Sequence, residues 1–391
     1  MIMHDIIIIG GGVSGITAAA SAARAGRDVL LLEAGDRLGG CIHTWHPTDD
    51  FWLELGAHTA YNSYGALLAL NRVPGFGNLI PRAKVGYHFV DGSRLQSPFA
   101  RLSFLDAALH LPFNLGLKKT GLDVQTYFTR LLGPGNWRNL LAPAFAAVLS
   151  QPAGPYPAEW LFKRKQRDKA APRKFTHGDG LQGWMAELAE TGGVHIEYDS
   201  PVERLTLEAS GVRVQLAGTE LQARQVLIAT PLDVAARLLN DVVPELAERL
   251  GKIPMADIET RAAVIAAGKL KLPPVAGLIG ADDAFFSAVS RDYLPHPHWR
   301  GFAFHFKPGL LSEGAQRQRM TDVLGCKVDD FEFETAKVNR LPTLTPAAIV
   351  LAAELEAALA ATPVRLAGNY LNGLSLGDAA QYAADHTRQG A

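Results

Sequence analysis

Gly10, Gly12 and Gly15 stand in the spacing G-x-G-x-x-G within Gly10-Gly11-Gly12-Val13-Ser14-Gly15, and Glu33 follows 18 residues after the last glycine. Glycines so placed suit a pyrophosphate. The first permits a tight turn, the second lets backbone approach the phosphates, and the third lets a helix pack closely on a strand. Backbone N–H groups at a helix start, here around Val13 and Ser14, present partial positive charge to the anion. A carboxylate at Glu33 accepts hydrogen bonds from both hydroxyls of a ribose and repels a 2′-phosphate. The chemistry that these residues could support is dinucleotide binding.

The elements needed to position them are legible around them. Asp5-Ile6-Ile7-Ile8-Ile9 is a continuous apolar run, as in a strand covered on both faces. The alanine-rich stretch from Ile16 to Ala25 favours a helix closed by Gly26. Asp28-Val29-Leu30-Leu31-Leu32 is a second strand ending at Glu33. This strand–glycine turn–helix–strand context separates a dinucleotide site from an ordinary glycine-rich turn. A second strand, glycine loop and helix stand near the other end. Val364 to Tyr370 reads as a strand ending in Gly368-Asn369, and Gly373 to Asp378 leads into an alanine-rich helix from Ala379 to Ala384. Between them, Gly180 to Glu190 reads as a helix and Val194–Tyr198 as a strand. Pro201–Leu205 with Gly211–Leu216 suggests a hairpin, and Gln225 to Pro231 a buried strand. Strands are also expected over Ala262–Ala267 and Gly301–Phe306.

Composition limits the function classes. The 391 residues are 48% hydrophobic and 20% charged, a globular balance. Lys and Arg total 38 against 39 Asp and Glu, a formal charge of −1, so nucleic acid is not an expected partner. Cys41 and Cys326 are too few for a disulfide framework and fit a reducing compartment. The first residues lack a basic segment before their apolar run, so a secretory leader is not expected. His296-Pro297-His298 has no further ligand at metal spacing and reads as a loop. Asp123 to Leu132 has an amphipathic helical pattern. Ser103 to Leu117 is rich in Leu and Phe but carries Asp106, His110 and Pro112. It is too short and polar to span a bilayer, and a cap packed on its neighbours is favoured over membrane contact. The basic run Lys163 to Lys169 is expected to be a solvated loop, with an anionic surface or carboxylate-bearing substrate as the sharper reading.

Asp36-Arg37-Leu38-Gly39-Gly40 follows Glu33 almost at once. It resembles the x-R-x-G-G continuation of FAD proteins of the glutathione-reductase-like fold. In particular it is similar to the superfamily of flavin amine oxidases, protoporphyrinogen oxidases and carotenoid desaturases. The resemblance extends to Leu53-Glu54-Leu55-Gly56-Ala57-His58 and, at the C-terminal end, to Gly368-Asn369-Tyr370…Gly373-Leu374-Ser375, which is most like protoporphyrinogen oxidases. It implies an α/β fold: a Rossmann-type FAD/NAD(P)-binding domain with a second substrate domain of mixed sheet plus helical cap. The FAD-binding domain would be discontinuous, formed by residues 1–70, 178–235 and 346–391. Residues 71–177 would be the helical substrate or cap region, and 236–345 the substrate-domain sheet and helices.

The same resemblance implies the site. Ala34 joins Glu33 beside the cofactor, Arg37 approaches its phosphate–ribose region, and Gly39 and Gly40 let the loop pass close. Gly56 and Ala57 bring backbone next to the isoalloxazine, and His58 points to the substrate side as the candidate catalytic group. The backbone at Val202 meets the adenine, and Ala229 lies near the pyrophosphate. Gly368 and Asn369 meet the ribityl or phosphate portion, while Leu374, Ser375 and Leu376 offer N–H groups to the flavin N1/O2 edge. FAD is expected to be non-covalent, because the C-terminal loop has neither Cys nor His. The implied activity is an FAD-dependent oxidoreductase taking a hydride from a small organic molecule, by C–N or C–C oxidation, with oxygen or quinone as electron acceptor. The implied place is the cytoplasm, with peripheral membrane contact as the second reading. Departures bear on the substrate. Leu374 stands where amine oxidases place an aromatic residue, their usual Trp is missing around Lys337–Leu341, and Pro342–Pro346 replaces a protoporphyrinogen-oxidase stretch. A flavin amine oxidase or carotenoid-type desaturase is the alternative activity, and a flavin-free binding protein on the same fold is the alternative class.

Overall fold

The isoleucine run forms the end of a strand, Met3–Ile9, and all four of its side chains are buried. The computed structural model describes residues 3–72, 78–190 and 192–388. The strand lies parallel between Val29–Leu32 and Thr219–Ile228, with Ile9 opposite Leu32 on one side and Ile228 on the other. His195–Glu197 extends the sheet beyond Val29–Leu32, and Val364–Leu366 runs parallel to the end of Thr219–Ile228. The sequence reading starts that strand at 225. It begins earlier because its polar first half pairs in an antiparallel meander with Gly211–Leu216 and Val202–Glu208.

Small side chains bring the two ends of the chain together. The first helix, Val13–Arg24, packs along the last, Leu376–Arg388. Ala18, Ala19, Ala20 and Ala22 share a core with Ala380, Ala383 and Ala384. Alanines on both partners permit close approach at little cost in side-chain entropy.

A second sheet runs in the order Phe331–Pro342, Met255–Ala266, Trp299–Phe306, Phe285–Ser290, Gly277–Gly280, Tyr87–Asp91 and Arg94–Gln96. One face is aromatic. Phe285, Phe302, Phe304 and Phe306 pack with Met320, Val323 and Leu324 of the helix Glu313–Leu324. The other face carries Ala262, Val289 and Ala303, which meet Leu53 and Leu55. That face therefore looks toward the segment running to His58.

The stretch 71–177, expected to be helical, also supplies strands. Tyr87–Asp91 and Arg94–Gln96 join the second sheet, and Lys174–His177 pairs with Ala60–Tyr61 and Leu79–Pro81. These strands are too short and too mixed in polarity to show a period. The helix Val124–Leu132 is capped by Asp123, whose Oδ1 accepts from the Thr126 N–H at 2.6 Å. The helix Phe104–Asn114 has no buried residue, contrary to a cap packed by its apolar side chains. No described helix is long and apolar enough to cross a membrane.

Candidate functional site

The parallel strands Met3–Ile9, Val29–Leu32, Thr219–Ile228 and Val364–Leu366 all end at one edge of the first sheet. Ligands of open α/β sheets bind in the crevice outside that edge. Gly10, Glu33, Ala229 and Gly368 all lie there, within two residues of a strand end. Gly10 has φ of +104°, and its N–H donates to the Leu32 carbonyl at 2.8 Å. A Cβ on Gly15 would overlap the Gly10 carbonyl oxygen, so the turn and helix close only with glycine. A Cβ on Gly12 would meet no protein atom within 4 Å, so this position faces open space. Val13 and Ser14 begin the helix, and no side chain caps its start. Its first N–H groups lack intrahelical acceptors and face the crevice.

Glu33 is fixed at both oxygens. Oε2 accepts from the Gly11 N–H at 2.6 Å and Oε1 from the Gly35 N–H at 2.9 Å. Each oxygen retains a lone pair for a further donor. Ala34 is exposed beside it. The Ser200 N–H donates to the Glu33 carbonyl at 2.9 Å, which brings the start of Val202–Glu208 alongside, and the Val202 carbonyl accepts from Arg237 at 3.1 Å. The Ala229 N–H donates to Ile9 at 2.8 Å, and its carbonyl underlies Gly10.

Arg37 is held within its own loop. Its Nη1 donates to the carbonyls of Leu38 and Ile42, and its Nη2 to Gly40, at 3.0–3.2 Å. The guanidinium braces its own loop with three of its five N–H donors. That loop is held against the glycine turn: the Gly39 N–H donates to Gly11 at 2.8 Å, and Gly40 abuts the α-carbon of Gly12.

Gly56 lies against the Cys41 carbonyl, where no side chain fits. Ala57 packs on the first-sheet core. The His58 carbonyl accepts from Arg82 Nη1 at 3.0 Å, and its Nε2 lies 3.5 Å from the Tyr87 hydroxyl. Burial, with Arg82 and His305 nearby, lowers the His58 pKa to about 3, so its ring is neutral at working pH. Below this segment, Glu54 is fully buried, accepting from the Leu181 N–H at 2.7 Å and the Thr44 hydroxyl at 2.9 Å. Burial pushes its carboxyl up to about 8.

At the C-terminal side, Gly368 and Asn369 follow directly on Ala367, whose N–H donates to Ile228 at 2.8 Å. Asn369 opens a short helix, Asn369–Asn372, where the sequence reading continued the strand. The Leu374 N–H donates to the Tyr156 hydroxyl at 3.0 Å, and Leu376 opens the terminal helix. Ser375 Oγ accepts from Lys165 at 3.0 Å, Lys165 pairs with Asp378 at 2.9 Å, and Lys163 binds Asn372. The basic run is thus not a free solvated loop. Two of its lysines fasten residues 163–165 to the C-terminal loop.

Sequence reasoning missed a row of polar groups on the second sheet. Lys337, Thr260, His305 and Ser287 lie side by side on four neighbouring strands. They share the face that carries Ala262 and Ala303, toward Leu53 and Leu55. The Thr260 hydroxyl and His305 Nδ1 are 2.9 Å apart, and burial lowers His305 to about 4. One signal was available: His305 is a lone imidazole within Phe302-Ala303-Phe304-His305-Phe306.

Several observations fit a bound dinucleotide with an aromatic ring system. The glycine cradle opens onto free space, and the helix start is uncapped. Lys337 Nζ and His43 Nδ1 are buried without a hydrogen-bond partner. Cys41 is exposed, yet surrounding protein raises its thiol pKa, as for a group lining a cleft. Among the described residues no cluster suits a metal ion.

Comparison with known proteins gives the same direction. Residues 13–258 match the flavin containing amine oxidoreductase family. (S)-6-Hydroxynicotine oxidase of Paenarthrobacter nicotinovorans is 26% identical over 280 residues, 63% of this chain and 64% of that protein. A probable zeta-carotene desaturase of Synechococcus elongatus is 34% identical over 79 residues, 20% of this chain and 16% of that protein. The matches thus span less than two thirds of these relatives. Among solved structures, a candidate protoporphyrinogen oxidase from Exiguobacterium sp. 255-15 superposes with a TM-score of 0.80 at 19% identity, covering 100% of this chain and 99% of that one. Cyclohexylamine oxidase from Brevibacterium oxydans does so with 0.71 at 18% identity, covering 100% and 99%. These likenesses show the fold, and the family match makes FAD the cofactor. With well over half of its length matched and the strands from its two ends meeting at one edge of the first sheet, the chain belongs to the flavin containing amine oxidoreductase family.

Proposed function

We propose that this protein is an FAD-dependent oxidoreductase acting on a small organic molecule, by C–N or C–C oxidation. What carries the reading is the convergence of the Gly10–Gly15 turn and the Gly368–Leu376 loop on one edge of the sheet. Bound FAD supplies the hydride acceptor at its N5. Gly10, Gly12, Val13, Ser14, Gly15 and Ala229 would hold the pyrophosphate through backbone N–H groups and close approach. Glu33, with Ala34 beside it, would accept from the ribose hydroxyls, and the Val202 backbone would border the adenine. Arg37, Gly39 and Gly40 would act through the shape of their loop. Gly56, Ala57 and His58 would line the ring. Gly368, Asn369 and the helix start at Ser375 and Leu376 would stabilise negative charge at its far edge, while Leu374, whose N–H is held by Tyr156 and not free for the flavin as expected, would border it. With no Cys or His between Gly373 and Asp378, the attachment would be non-covalent.

The charge around the substrate side supports a neutral or anionic substrate over a cationic diamine. Arg82 and Lys337 are cations there. His43, lowered to about 4, and His58 and His305 are neutral, and buried Glu54 holds its proton near neutral pH. Among the described residues named at this wall, none is an ionised carboxylate that could hold an ammonium group. His58 would bind and orient the substrate as a neutral hydrogen-bonding ring.

The test is direct. The purified chain should be yellow, should release FAD on acid precipitation, and should bleach anaerobically with a substrate of this class. Re-oxidation by oxygen compared with a quinone identifies the acceptor. A colourless chain that ignores added FAD would favour a flavin-free binding protein. His58→Ala should raise KM and lower turnover about 10²-fold. Unchanged turnover and substrate affinity would remove His58 from the site.

A further inference from the structure

We propose that the helix Phe104–Asn114 docks this protein on an anionic membrane surface. The helix is turned inside out. Its inward side carries its polar residues beside half-buried Ala107 and Leu111: Asp106 Oδ2 accepts from the N–H groups of Gly135 and Asn136 at 2.7 and 3.0 Å, and Asn136 accepts from the Ser103 N–H at 2.7 Å. His110 and Asn114 lie on that same side and bond to the Asp106 and His110 carbonyls. The outward side is wholly apolar. Phe104, Leu105, Leu109 and Phe113 are 74, 72, 60 and 84% exposed, and exposed Ala108 and Pro112 fill the stripe between them. The spacing i, i+1, i+4, i+5, i+8, i+9 puts all six on one face. Phe99 before the helix and Leu115 after it are also exposed, so the patch extends past both ends.

Two features select lipid as the occupant. The stripe has no side-chain donor or acceptor, whereas protein interfaces carry regular hydrogen bonds beside their aromatic residues. Its surroundings are also basic in a chain of net charge −1. Residues 91–119 carry Arg94, Arg101, Lys118 and Lys119 against Asp91 and Asp106, the second of which points inward, a difference of 4 − 2 = +2. Arg94 and Lys118 are exposed and stand on either side of the helix in sequence, Arg94 opposite Asp91 in its hairpin. An apolar face rimmed by basic residues lies in the plane of an anionic interface, its side chains in the acyl boundary and its cations among the headgroups. The inward hydrogen bonds fix the helix before docking, so binding requires no ordering of the segment.

The experiment is co-sedimentation of the FAD-loaded full chain with two kinds of vesicle: phosphatidylcholine mixed equally with phosphatidylglycerol, and phosphatidylcholine alone. The chain should bind the anionic vesicles and bind the neutral ones much more weakly. Leu109→Asp with Phe113→Asp should lower binding at least about tenfold, and Arg94→Glu with Lys118→Glu should abolish the preference for anionic lipid. Flavin absorbance and thermal unfolding should match wild type in both variants, because all four side chains point to solvent. Vesicle binding is read without turnover, so this result is separate from the test of the proposed reaction. Failure of the wild-type chain to bind vesicles would overturn the inference, whether it ran as a monomer or as a dimer that Leu109→Asp dissociates. Binding unaffected by the double aspartate variant would overturn it too.

Discussion

The first helix and the 104–114 helix are nearly equal in length, at 12 and 11 residues, and both are rich in apolar side chains. One is enclosed and the other is bare. Eight residues of the first helix are buried, whereas the second has none. The difference lies in side-chain size and in where the hydrogen bonds go. Alanines in the first helix let a strand and a second helix approach from both sides, and its glycine end leaves N–H groups uncapped at the crevice. In the other helix the polar side chains found partners first, at Gly135 and Asn136, and the large apolar groups were left facing out. Apolar content alone therefore does not tell which side of a helix a protein buries.

The largest expected effect tests the enclosed helix. Gly15→Ala would drive a methyl group into the Gly10 carbonyl and should cost about 3 kcal/mol, with loss of FAD affinity. Thermal unfolding and flavin titration read both. If the variant bound FAD normally, the close fit of turn to helix would not matter. Next comes Asp106→Ala, which leaves the N–H groups of Gly135 and Asn136 without their acceptor. A loss of about 2 kcal/mol is expected, with FAD affinity retained, because the crevice is elsewhere.

A pH scan should locate a titrating contribution in the crevice half. The Glu54 carboxyl is raised by burial from 4.5 to about 8 in the folded chain. The folded state therefore holds this proton more tightly than the unfolded state. The favourable contribution is complete below about pH 4.5 and is lost as pH rises through about 8. Glu54→Gln should flatten the fall in melting temperature between those limits. The smallest expected change is for Leu109→Ser, within about 0.5 kcal/mol of wild type, as for an exposed site. A large loss there would mean that the outward stripe is packed in solution.

Much of the nucleotide half was legible because it is local. The turn at Gly10–Gly15, the helix after it and Glu33 occupy one short stretch, and each residue type answers a nearby steric or electrostatic need. The strand and loop around Gly368 and Leu376 were legible for the same reason. What the sequence could not show depended on distant partners. Arg37 has the composition of a phosphate ligand, and only the folded loop reveals that carbonyls take three of its five donors. Lys163 and Lys165 look solvated until Asn372, Ser375 and Asp378 are brought beside them. Lys337, Thr260, His305 and Ser287 become neighbours through strand register alone. The stripe on the 104–114 helix has a clear period, but periodicity gives the width of a face and not its direction.

The strand Val364–Leu366 has a consequence for biosynthesis. It completes the edge begun by Gly10 more than 350 residues earlier in the chain. At roughly 10 residues per second on the ribosome, the amino-terminal turn waits about half a minute for its counterpart. Only one pole of the crevice can exist during that interval. Capture of the prosthetic group therefore follows the emergence of Val364–Leu366, and until then the partly built sheet leaves Val226–Ile228 unpaired on one side.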